Sequence, residues 1–234
     1  RIGKLVASEA TKALPPPMEL MFEAYAPRGI FLAKKRYALL IIDGKGKEKY
    51  KIMGIETVRR EWCQLAKDNL KLCLDLVLKK GDVDGAIEET RRQVRNLKTN
   101  RYLEDRSLFD KLIMTRKLTK QLHEYKMLQP HAELARKMGE TDDAPVVGDR
   151  VAYVILKSPG KSKKRRGNQE REKQKLTSNR AEDPEIAWNQ KMRLDTDYYI
   201  EKQIVPPILR LLSPIMDITF EQFVNTGQKS LGDY

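Results

Sequence analysis

Two clusters of cationic side chains are the residues of this sequence best suited to a chemical task. The first is the run Lys34–Tyr37, which reads KKRY, and the second is the pair Arg59–Arg60. Lys and Arg attract phosphate groups electrostatically and without regard to base sequence. The two clusters therefore predict contact with a nucleic-acid backbone. The alternative is an exposed basic strand end, together with ion pairs from the arginines to Glu56 or Glu61.

Residue types that usually carry catalysis or bind metals are sparse. Cys63 and Cys73 are too far apart in a helical pattern for a disulfide and are predicted to be reduced core thiols. His123 and His131 lack the spacing of a structural metal site. The pair Asp142–Asp143 could suggest a two-metal site, but it lies in a loop that would not hold its geometry. We therefore expect no metal, no bound cofactor and no catalytic residue in this chain.

The charge balance supports the nucleic-acid interpretation. The 234 residues include 46 Lys and Arg against 33 Asp and Glu, a formal net charge of +13. Each cation placed near a phosphate releases a condensed counterion, which favours binding. No apolar run is long enough to span a membrane, and no signal peptide is present, so a cytosolic or nuclear protein is expected. Because residue 1 is Arg rather than Met, we expect a processed or truncated piece of a longer chain.

The elements that would position the first cluster are strands. A short helix is predicted over residues 2–13, before a run of three prolines. Apolar and β-branched residues at 18–25 and 29–42, a turn at 43–46 and a further run at 49–55 predict an antiparallel sheet with a hairpin. The predicted fold class is α+β.

Helical periodicity dominates after Gly54. One long amphipathic helix is predicted from about Val58 to Lys80. A second, with Asp82 as its N-cap, runs to about Leu97 and carries an outward basic face. The arginines of that face are Arg91, Arg92 and Arg95.

The remaining folded elements are shorter. Strands are predicted at 112–115 and 151–156, and a helix at 131–138. Further helices are predicted at 182–192 and 197–212, the last interrupted by two consecutive prolines. The tyrosines expected to lie in the core or to anchor backbone, rather than to stack on bases, are Tyr153, Tyr198 and Tyr199.

Two segments are predicted to lie outside the core. Residues 158–180 are rich in Lys, Arg, Gly, Ser and Gln, and are expected to form a disordered basic insertion. The folded part is expected to end at Pro214, because 219–234 is too polar to form core.

The KKRY run resembles a motif of the family B DNA polymerases. Met18–Glu23 is similar to the family's P-x-x-L-E-F-E strand. Gly54–Glu61 is similar to its G-[LI]-E-x-V-R-R-D motif at the junction of palm and thumb, with Glu61 in place of the usual Asp. The three motifs follow the family's order. Other stretches that resemble the thumb of delta-like and archaeal members are Gln129–Ala135, Gly148–Ile155 and Asp195–Gln203.

The resemblance implies a division of the chain and a role for each part. Residues 1–55 would be the C-terminal edge of the palm, 56–216 a mainly helical thumb with a small β element, and 217–234 a flexible tail. In that family the basic residues of the motif reach the primer-template duplex near the growing end. Tyr37 would either approach the minor groove or pack against the sheet. The implied DNA-binding residues are Lys34, Lys35, Arg36, Tyr37, Arg59 and Arg60.

The resemblance also implies what this chain lacks. The family's two catalytic aspartate motifs should lie upstream of Ile2, so the chain alone is expected to be inactive. Its implied partner is a larger polymerase chain with exonuclease, fingers and catalytic palm, where Mg²⁺ is expected to bind. The chain would be the small subunit of a naturally split polymerase or a piece of one, in an archaeal nucleoid or a eukaryotic nucleus.

One further motif occupies the C-terminal residues. Gln228, Leu231 and Tyr234 follow a Q-x-x-aliphatic-x-x-aromatic pattern. It resembles the sliding-clamp-binding box, in which a short helical turn buries its aliphatic and aromatic side chains in a pocket. The second aromatic residue of that box is missing. The motif implies a PCNA-type clamp as a second partner.

Two other interpretations are open at this point. The chain could be a free-standing basic nucleic-acid-binding protein, associated with RNA or the ribosome and without a polymerase role. It could also be a degenerate polymerase remnant kept as a scaffold.

Overall fold

The structure, a computed structural model, describes residues 2–43, 46–127, 129–139, 144–158 and 177–224. These residues form two three-stranded antiparallel sheets together with a set of mostly short helices. The α+β fold class predicted from the sequence is confirmed.

Helix α1 (Ile2–Lys12) is the predicted N-terminal helix and ends before the three prolines. None of its residues is buried, although Leu5 and Val6 are apolar. Residues 18–24 have no regular secondary structure, so the strand predicted there is wrong, and β1 begins only at Tyr25. Among the described residues this segment has no strand neighbour with which to pair.

The first sheet contains β1 (Tyr25–Ala33), β2 (Arg36–Ile42) and β3 (Glu48–Met53) in that order. The single run predicted at 29–42 is therefore two strands joined by a tight turn at Lys34–Lys35. The second turn residue has a φ of 61°, in the left-handed region that such turns use. The side chains that this sheet buries in the core are Ile30, Ala38 and Leu40.

The chain leaves the first sheet through a 3-10 helix, Glu56–Val58. The long helix predicted after it, α2 (Gln64–Asp75), begins later than expected because its N-cap residue, Cys63, is extended. It continues as a π-helical turn, Leu76–Lys80, and ends at Gly81, whose φ of 72° is typical of a helix C-terminus.

Helix α3 (Val83–Lys98) follows as predicted. The carboxylate of Asp82 accepts a hydrogen bond from the backbone N–H of Gly85 at 2.8 Å, so the predicted N-cap is confirmed. A 3-10 turn at Arg101–Leu103 and helix α4 (Arg106–Asp110) then bring the chain to the second sheet.

The second sheet contains β4 (Met114–Lys117), β5 (Arg150–Ile155) and β6 (Ala181–Glu182). The strand predicted at 151–156 is confirmed to within one residue, whereas β4 starts two residues later than predicted and β6 has no counterpart among the sequence predictions. A 3-10 turn, Leu122–Glu124, and helix α5 (Pro130–Met138) lie between β4 and β5 in the chain.

The last long helical stretch passes through two prolines. After α6 (Pro184–Asn189), shorter than the helix predicted at 182–192, the chain runs without a break from α7 (Thr196–Tyr198) through a π-helical segment, Tyr199–Ile204, into α8 (Val205–Leu212). The predicted interruption at Pro206–Pro207 is wrong. These prolines occupy the first turn of α8, where proline is well tolerated.

A short helix, α9 (Glu221–Val224), lies beyond the predicted end of the fold at Pro214. That predicted end is wrong, because Phe223 is fully buried in the core. Two side chains of α3 also donate hydrogen bonds to backbone carbonyls of α9. The donors are Arg91 Nε, 2.7 Å from Gln222 O, and Lys98 Nζ, 3.0 Å from Val224 O.

The elements share one hydrophobic core, to which both sheets and α2, α3, α5 and α8 contribute. Within the described ranges, no helix has the length and apolar character needed to cross a bilayer. The largest fully buried side chains include Tyr102, Tyr199, Phe109 and Phe223.

Candidate nucleic-acid interface

The KKRY run forms the turn between β1 and β2. Ala33 pairs with Arg36 across the hairpin, which leaves Lys34 and Lys35 as the two turn residues. Both lysines are exposed. Because the two residues occupy one tight turn, both lysines lie at the same end of the first sheet. We call Lys34 and Lys35 the lysine turn.

Arg36 does not share the exposure of the two lysines. Its Nε donates to the carbonyl of Gly54 at 3.2 Å, and its Nη2 lies 2.6 Å from Oε1 of Glu56. Glu56 is buried, with 3% of its surface exposed. The predicted DNA contact of Arg36 remains a prediction, while the structure ties this guanidinium to the protein.

Tyr37 lies on the side of the first sheet that faces away from the core. It pairs across the strands with Phe31, and the two ring centroids are 5.9 Å apart. The sequence predicts that Tyr37 either approaches the minor groove or packs against the sheet, and in the structure it packs against Phe31. Phe31 itself is exposed.

Arg59 and Arg60 line an open groove that sequence reasoning did not foresee. The groove has a volume of about 380 Å³ and is bordered by five cationic side chains and one acidic side chain. We call it the basic groove. Its lining residues are Arg59, Arg60, Glu61, Thr115, Arg116, Lys117, Thr119 and Arg150.

The second sheet builds one wall of the basic groove. Lys117, at the end of β4, pairs directly with Arg150, at the start of β5. Like charges opposite each other in a sheet repel. An anion held between them would remove that repulsion, so this pairing favours phosphate binding.

Hydrogen bonds join the two sides of the basic groove. Nη2 of Arg150 donates to the carbonyl and to Oγ1 of Thr115, each at 2.9 Å. Oγ1 of Thr115 in turn lies 3.5 Å from the carbonyl of Arg60. Glu61 partly offsets the local charge, with its carboxylate 3.8 Å from Arg59. The backbone that carries the arginine pair is thus connected to the second sheet.

Three of the five cations, Arg116, Lys117 and Arg150, were missed by sequence reasoning. The only local signal was a basic dipeptide at the end of a predicted strand. Their proximity to Arg59–Arg60 depends on the register of β4 against β5, which a local pattern does not contain.

A buried histidine lies close to this region. His131 is 1% exposed, its ring stands edge-on to Tyr125 with centroids 5.6 Å apart, and its Nδ1 has no hydrogen-bond partner among the described residues. Burial, together with the positive charge of Arg116, lowers the pKa of His131 to about 4. The ring is therefore neutral at physiological pH. The hydroxyl of Tyr125 accepts a hydrogen bond from the backbone N–H of Thr119, a residue that lines the basic groove.

The tyrosines expected in the core lie there or against it. Tyr153 and Tyr199 are buried, and the hydroxyl of Tyr199 accepts a hydrogen bond from the backbone N–H of Ile155 at 3.2 Å. Tyr198 is half-buried and packs edge-on against Tyr199. Burial raises the pKa of all three phenols. Their predicted structural roles are confirmed.

The arginine face predicted on α3 is largely paired within the protein. Arg92 lies 2.7 Å from Glu89, and Arg95 lies 2.7 Å from Glu88. Arg91 donates to the backbone of α9. Because of these internal contacts, the three guanidiniums are less available to an external anion than the sequence suggested.

The remaining candidates for chemistry are either buried or outside the described residues. Cys63 and Cys73 are free and fully buried, as predicted, and burial raises the pKa of each thiol to about 12. In the part of the chain that the structure describes, no three His, Cys, Asp or Glu side chains come together as a potential metal site. Predictions that fall outside the described residues concern Asp142–Asp143, residues 159–176 of the basic insertion, and the motif residues Gln228, Leu231 and Tyr234. The disorder predicted for residues 177–180 is wrong, because they form a 3-10 helix in which Ser178 is buried and Arg180 pairs with Asp195.

Comparisons with known proteins point in one direction. The sequence profile of the family described as DNA polymerase family B matches residues 1–215. The chain is 35% identical over 219 residues to a DNA polymerase delta catalytic subunit from Oryza sativa subsp. japonica, covering 92% of this chain and 18% of the relative. It is also 35% identical over 202 residues to a DNA polymerase from Methanocaldococcus jannaschii, covering 86% of this chain and 11% of the relative.

A solved structure resembles the fold as well. The family B DNA polymerase from the hyperthermophilic archaeon Pyrobaculum calidifontis matches with a TM-score of 0.64 and 27% sequence identity. The match covers 91% of this chain and 25% of that chain. This chain therefore spans a quarter or less of the length of each of these three relatives.

Proposed function

This chain belongs to DNA polymerase family B, and on that premise we propose that it is the C-terminal palm edge and thumb of such a polymerase. Its task is to hold newly made primer-template duplex on the minor-groove side and to keep the primer end aligned. Polymerisation itself is carried out by another part of the enzyme. Function in a nucleoid or a nucleus is part of the same proposal.

The observation that carries this proposal is the grouping of cations in excess of acidic side chains at two places. The lysine turn presents two exposed ammonium groups, and the basic groove brings five cations together against Glu61 alone. Duplex DNA carries closely spaced phosphates, so two rigid cationic sites on one chain are suited to grip its backbone. Such contacts read no base sequence, as a polymerase that copies any template requires.

A second observation supports a larger polymerase chain as partner. Apolar side chains left exposed by the described residues are concentrated between residues 2 and 53. An apolar surface of this kind usually marks an interface. We assign it to contact with the part of the polymerase that carries exonuclease, fingers and catalytic palm. The exposed residues include Ile2, Leu5, Val6, Met18, Leu20, Met21, Phe22, Tyr25, Phe31 and Met53.

In this scheme the chain binds and positions the duplex, and the partner carries the catalytic groups. The lysine turn contacts phosphates near the primer end, and Arg59 and Arg60 act with the wall of β4 and β5 on phosphates of the duplex. Mg²⁺, bound by acidic residues of the partner, would supply the Lewis acid for nucleotide addition. No residue of this chain is assigned to the reacting atoms, so the chain alone is predicted to be inactive.

The C-terminal motif adds a proposed tether. Gln228, Leu231 and Tyr234 would dock in a pocket of a PCNA-type sliding clamp. Tethering raises the effective concentration of the polymerase at DNA without any new contact to the duplex. The alternative of a free-standing RNA- or ribosome-associated protein finds no support in the comparisons.

The proposal is tested first by equilibrium binding. The 234-residue chain is expected to bind primer-template duplex in preference to single strands, with an affinity that falls steeply with salt concentration. The slope of log affinity against log salt should be about −0.9 for each phosphate neutralised. Equal affinity for single-stranded RNA and duplex DNA would contradict the assignment.

Reconstitution tests the polymerase role. Mixing this chain with a family B chain that carries the catalytic aspartates should give a one-to-one complex that extends primers, while this chain alone does not. An assembled complex without primer extension would indicate an inactive scaffold. Deletion of residues 228–234 should abolish stimulation by the clamp and spare basal synthesis. Loss of basal synthesis would show that the tail is structural.

A further inference from the structure

Three charged side chains meet where the chain leaves the first sheet, around the buried carboxylate of Glu56. Oε1 of Glu56 lies 2.6 Å from Nη2 of Arg36 and 3.0 Å from Nη2 of Arg210. Glu56 is buried, while the two arginine side chains are 27% and 40% exposed. The guanidinium of Arg210 also stacks over the ring of Trp62, 5.8 Å from its centroid. We call Arg36, Glu56 and Arg210 the charge triad.

The charge triad joins elements that are far apart in the chain. Arg36 directly follows the lysine turn, Glu56 begins the 3-10 helix that leads to Arg59–Arg60, and Arg210 lies on α8. The backbone that carries Glu56 and the helix that carries Arg210 are well packed in the core. Ile55, next to Glu56, is fully buried, and α8 buries five of its eight residues. Side chains so anchored can set the relative position of the backbones that carry them.

The geometry of the charge triad is not that of an optimal ion pair. Glu56 uses one oxygen for both arginines, while its buried Oε2 and the buried Nε of Arg210 have no hydrogen-bond partner in the described part of the chain. Desolvation of charges can exceed the Coulomb gain, and apolar replacements of a whole buried cluster are often neutral or stabilising. Replacement of the whole charge triad by apolar side chains is therefore expected to change stability little. The directional contacts of the triad can nevertheless select one arrangement of the three elements.

We propose that Arg36, Glu56 and Arg210 are positioning residues. They hold the lysine turn and the arginine pair at Arg59–Arg60 in a fixed relation to α8, so that both cationic sites meet one duplex together. The effect on DNA rests on the proposed function, whereas the positioning itself does not. Arg36 thus acts through the fold, although the two lysines that precede it are exposed.

The positioning is tested without DNA. Nitroxide labels are attached at Lys34→Cys and Lys202→Cys in the 234-residue chain, and the distance between them is measured by pulsed electron paramagnetic resonance. The native Cys63 and Cys73 are 0% exposed, so the labels react with the introduced thiols. A single narrow distance distribution is expected. Glu56→Gln should broaden or split it, whereas Glu201→Gln, an exposed change of the same charge, should not.

A second variant separates position from stability. Arg36→Met, Glu56→Leu and Arg210→Met combined replace the charge triad by apolar side chains. This triple variant is expected to keep its melting temperature and lose the narrow distribution. An unchanged distribution in both variants would overturn the proposal. So would a failure of both to fold, since the triad would then supply stability.

Duplex affinity provides the functional readout. Glu56→Gln raises the net charge by one, so charge alone predicts tighter binding. If the substitution displaces the cationic sites, duplex affinity should instead fall about tenfold, a loss of the size seen for coupled neighbouring groups. Tighter binding by both Glu56→Gln and Glu201→Gln would overturn the positioning role. If the unmodified chain bound no duplex, the proposed function would fail while the distance measurement still decided the role of the triad.

Discussion

Gly54 lies directly against the carbonyl oxygen of Lys35. A Cβ built on this glycine would stand 2.5 Å from that oxygen, and the glycine has a φ of 63°. Both facts restrict position 54 to glycine, since a side chain would be strained by the backbone angle and would collide with the turn. Gly54, which directly follows β3, therefore packs against the backbone of the lysine turn.

Substitution of Gly54 should displace the lysine turn. Gly54→Ala is expected to lower the free energy of unfolding by about 1–3 kcal/mol and to weaken duplex binding. Gly46→Ala is the matched control, because Gly46 also has a positive φ, 77°, but a Cβ there meets no atom within 4 Å. Denaturant unfolding and duplex titration measure both effects. Equal losses in the two variants would mean that contact with the turn is unimportant.

Removal of the lysine turn charges should weaken duplex binding. Lys34→Ala combined with Lys35→Ala is expected to lower the salt slope by about one to two units, because two phosphate contacts are lost. The control combines Lys71→Ala with Lys202→Ala, two exposed lysines outside both cationic sites. Binding isotherms at several salt concentrations provide the slopes. An unchanged slope would remove the turn from the DNA contacts.

The basic groove should respond to charge changes of either sign. Arg116→Ala combined with Lys117→Ala is expected to weaken duplex affinity and reduce its salt dependence. Glu61→Gln removes the single acidic group of the groove and should strengthen binding. Glu104→Gln, an exposed change outside the groove, is the control for net charge. Equal effects of Glu61→Gln and Glu104→Gln would argue against a phosphate site.

Docking of α9 should contribute measurably to stability. Phe223→Ala is expected to cost about 3–5 kcal/mol, the range for a buried Phe replaced by Ala. The same substitution at Phe31, which is 69% exposed and pairs across the strands with Tyr37, should cost about 1 kcal/mol or less. Chemical denaturation measures both. A small loss at Phe223 would place α9 outside the cooperative fold.

Stability should fall as pH drops from about 6.5 towards 4, in part through His131. Its folded pKa of about 4 lies below the value of about 6.5 for an unperturbed imidazole. Between these two pH values the unfolded chain binds a proton at this residue and the folded chain does not. The free energy of unfolding therefore falls by up to about 1.4 kcal/mol for each unit that the pH decreases.

Replacement of His131 isolates this contribution. His131→Leu should flatten the dependence of unfolding free energy on pH between about 6.5 and 4. The exposed His123→Leu should not. Carboxylates with lowered pKa values, such as Asp75 and Glu88, act in both variants and cancel from the comparison. Parallel profiles for the two variants would show that His131 is not the group responsible.

Elements that depend on interactions between residues close together in the chain were predicted from the sequence. The amphipathic period of α3, the cap at Asp82, the helix after Pro130 and the apolar run of β5 are local signals, and all were predicted close to their observed bounds. The amphipathic period of α2 was also recognised, although this helix begins several residues later than predicted. The ordered motifs identified the family in the same way, because each motif is contiguous in the chain.

Sequence patterns misjudged elements whose stability depends on distant partners. Glu221–Val224 is too short and polar to be predicted as core, yet Phe223 fills a site against α3. The prolines at 206–207 lie in the first turn of α8, which follows the π-helical segment without a break. Neither outcome follows from the local sequence alone.

The sequence by itself determined most of the longer helices, the basic KKRY run and the excess of positive charge, since spacing, caps and composition act over a few residues. Only the tertiary structure decided that Arg36 faces Glu56 and Arg210, and that Lys117 and Arg150 join Arg59 and Arg60 around one groove. Strand register and the packing of α8 bring together residues that are distant along the chain. Those arrangements arise from burial of the shared core, to which no single segment contributes enough apolar surface alone.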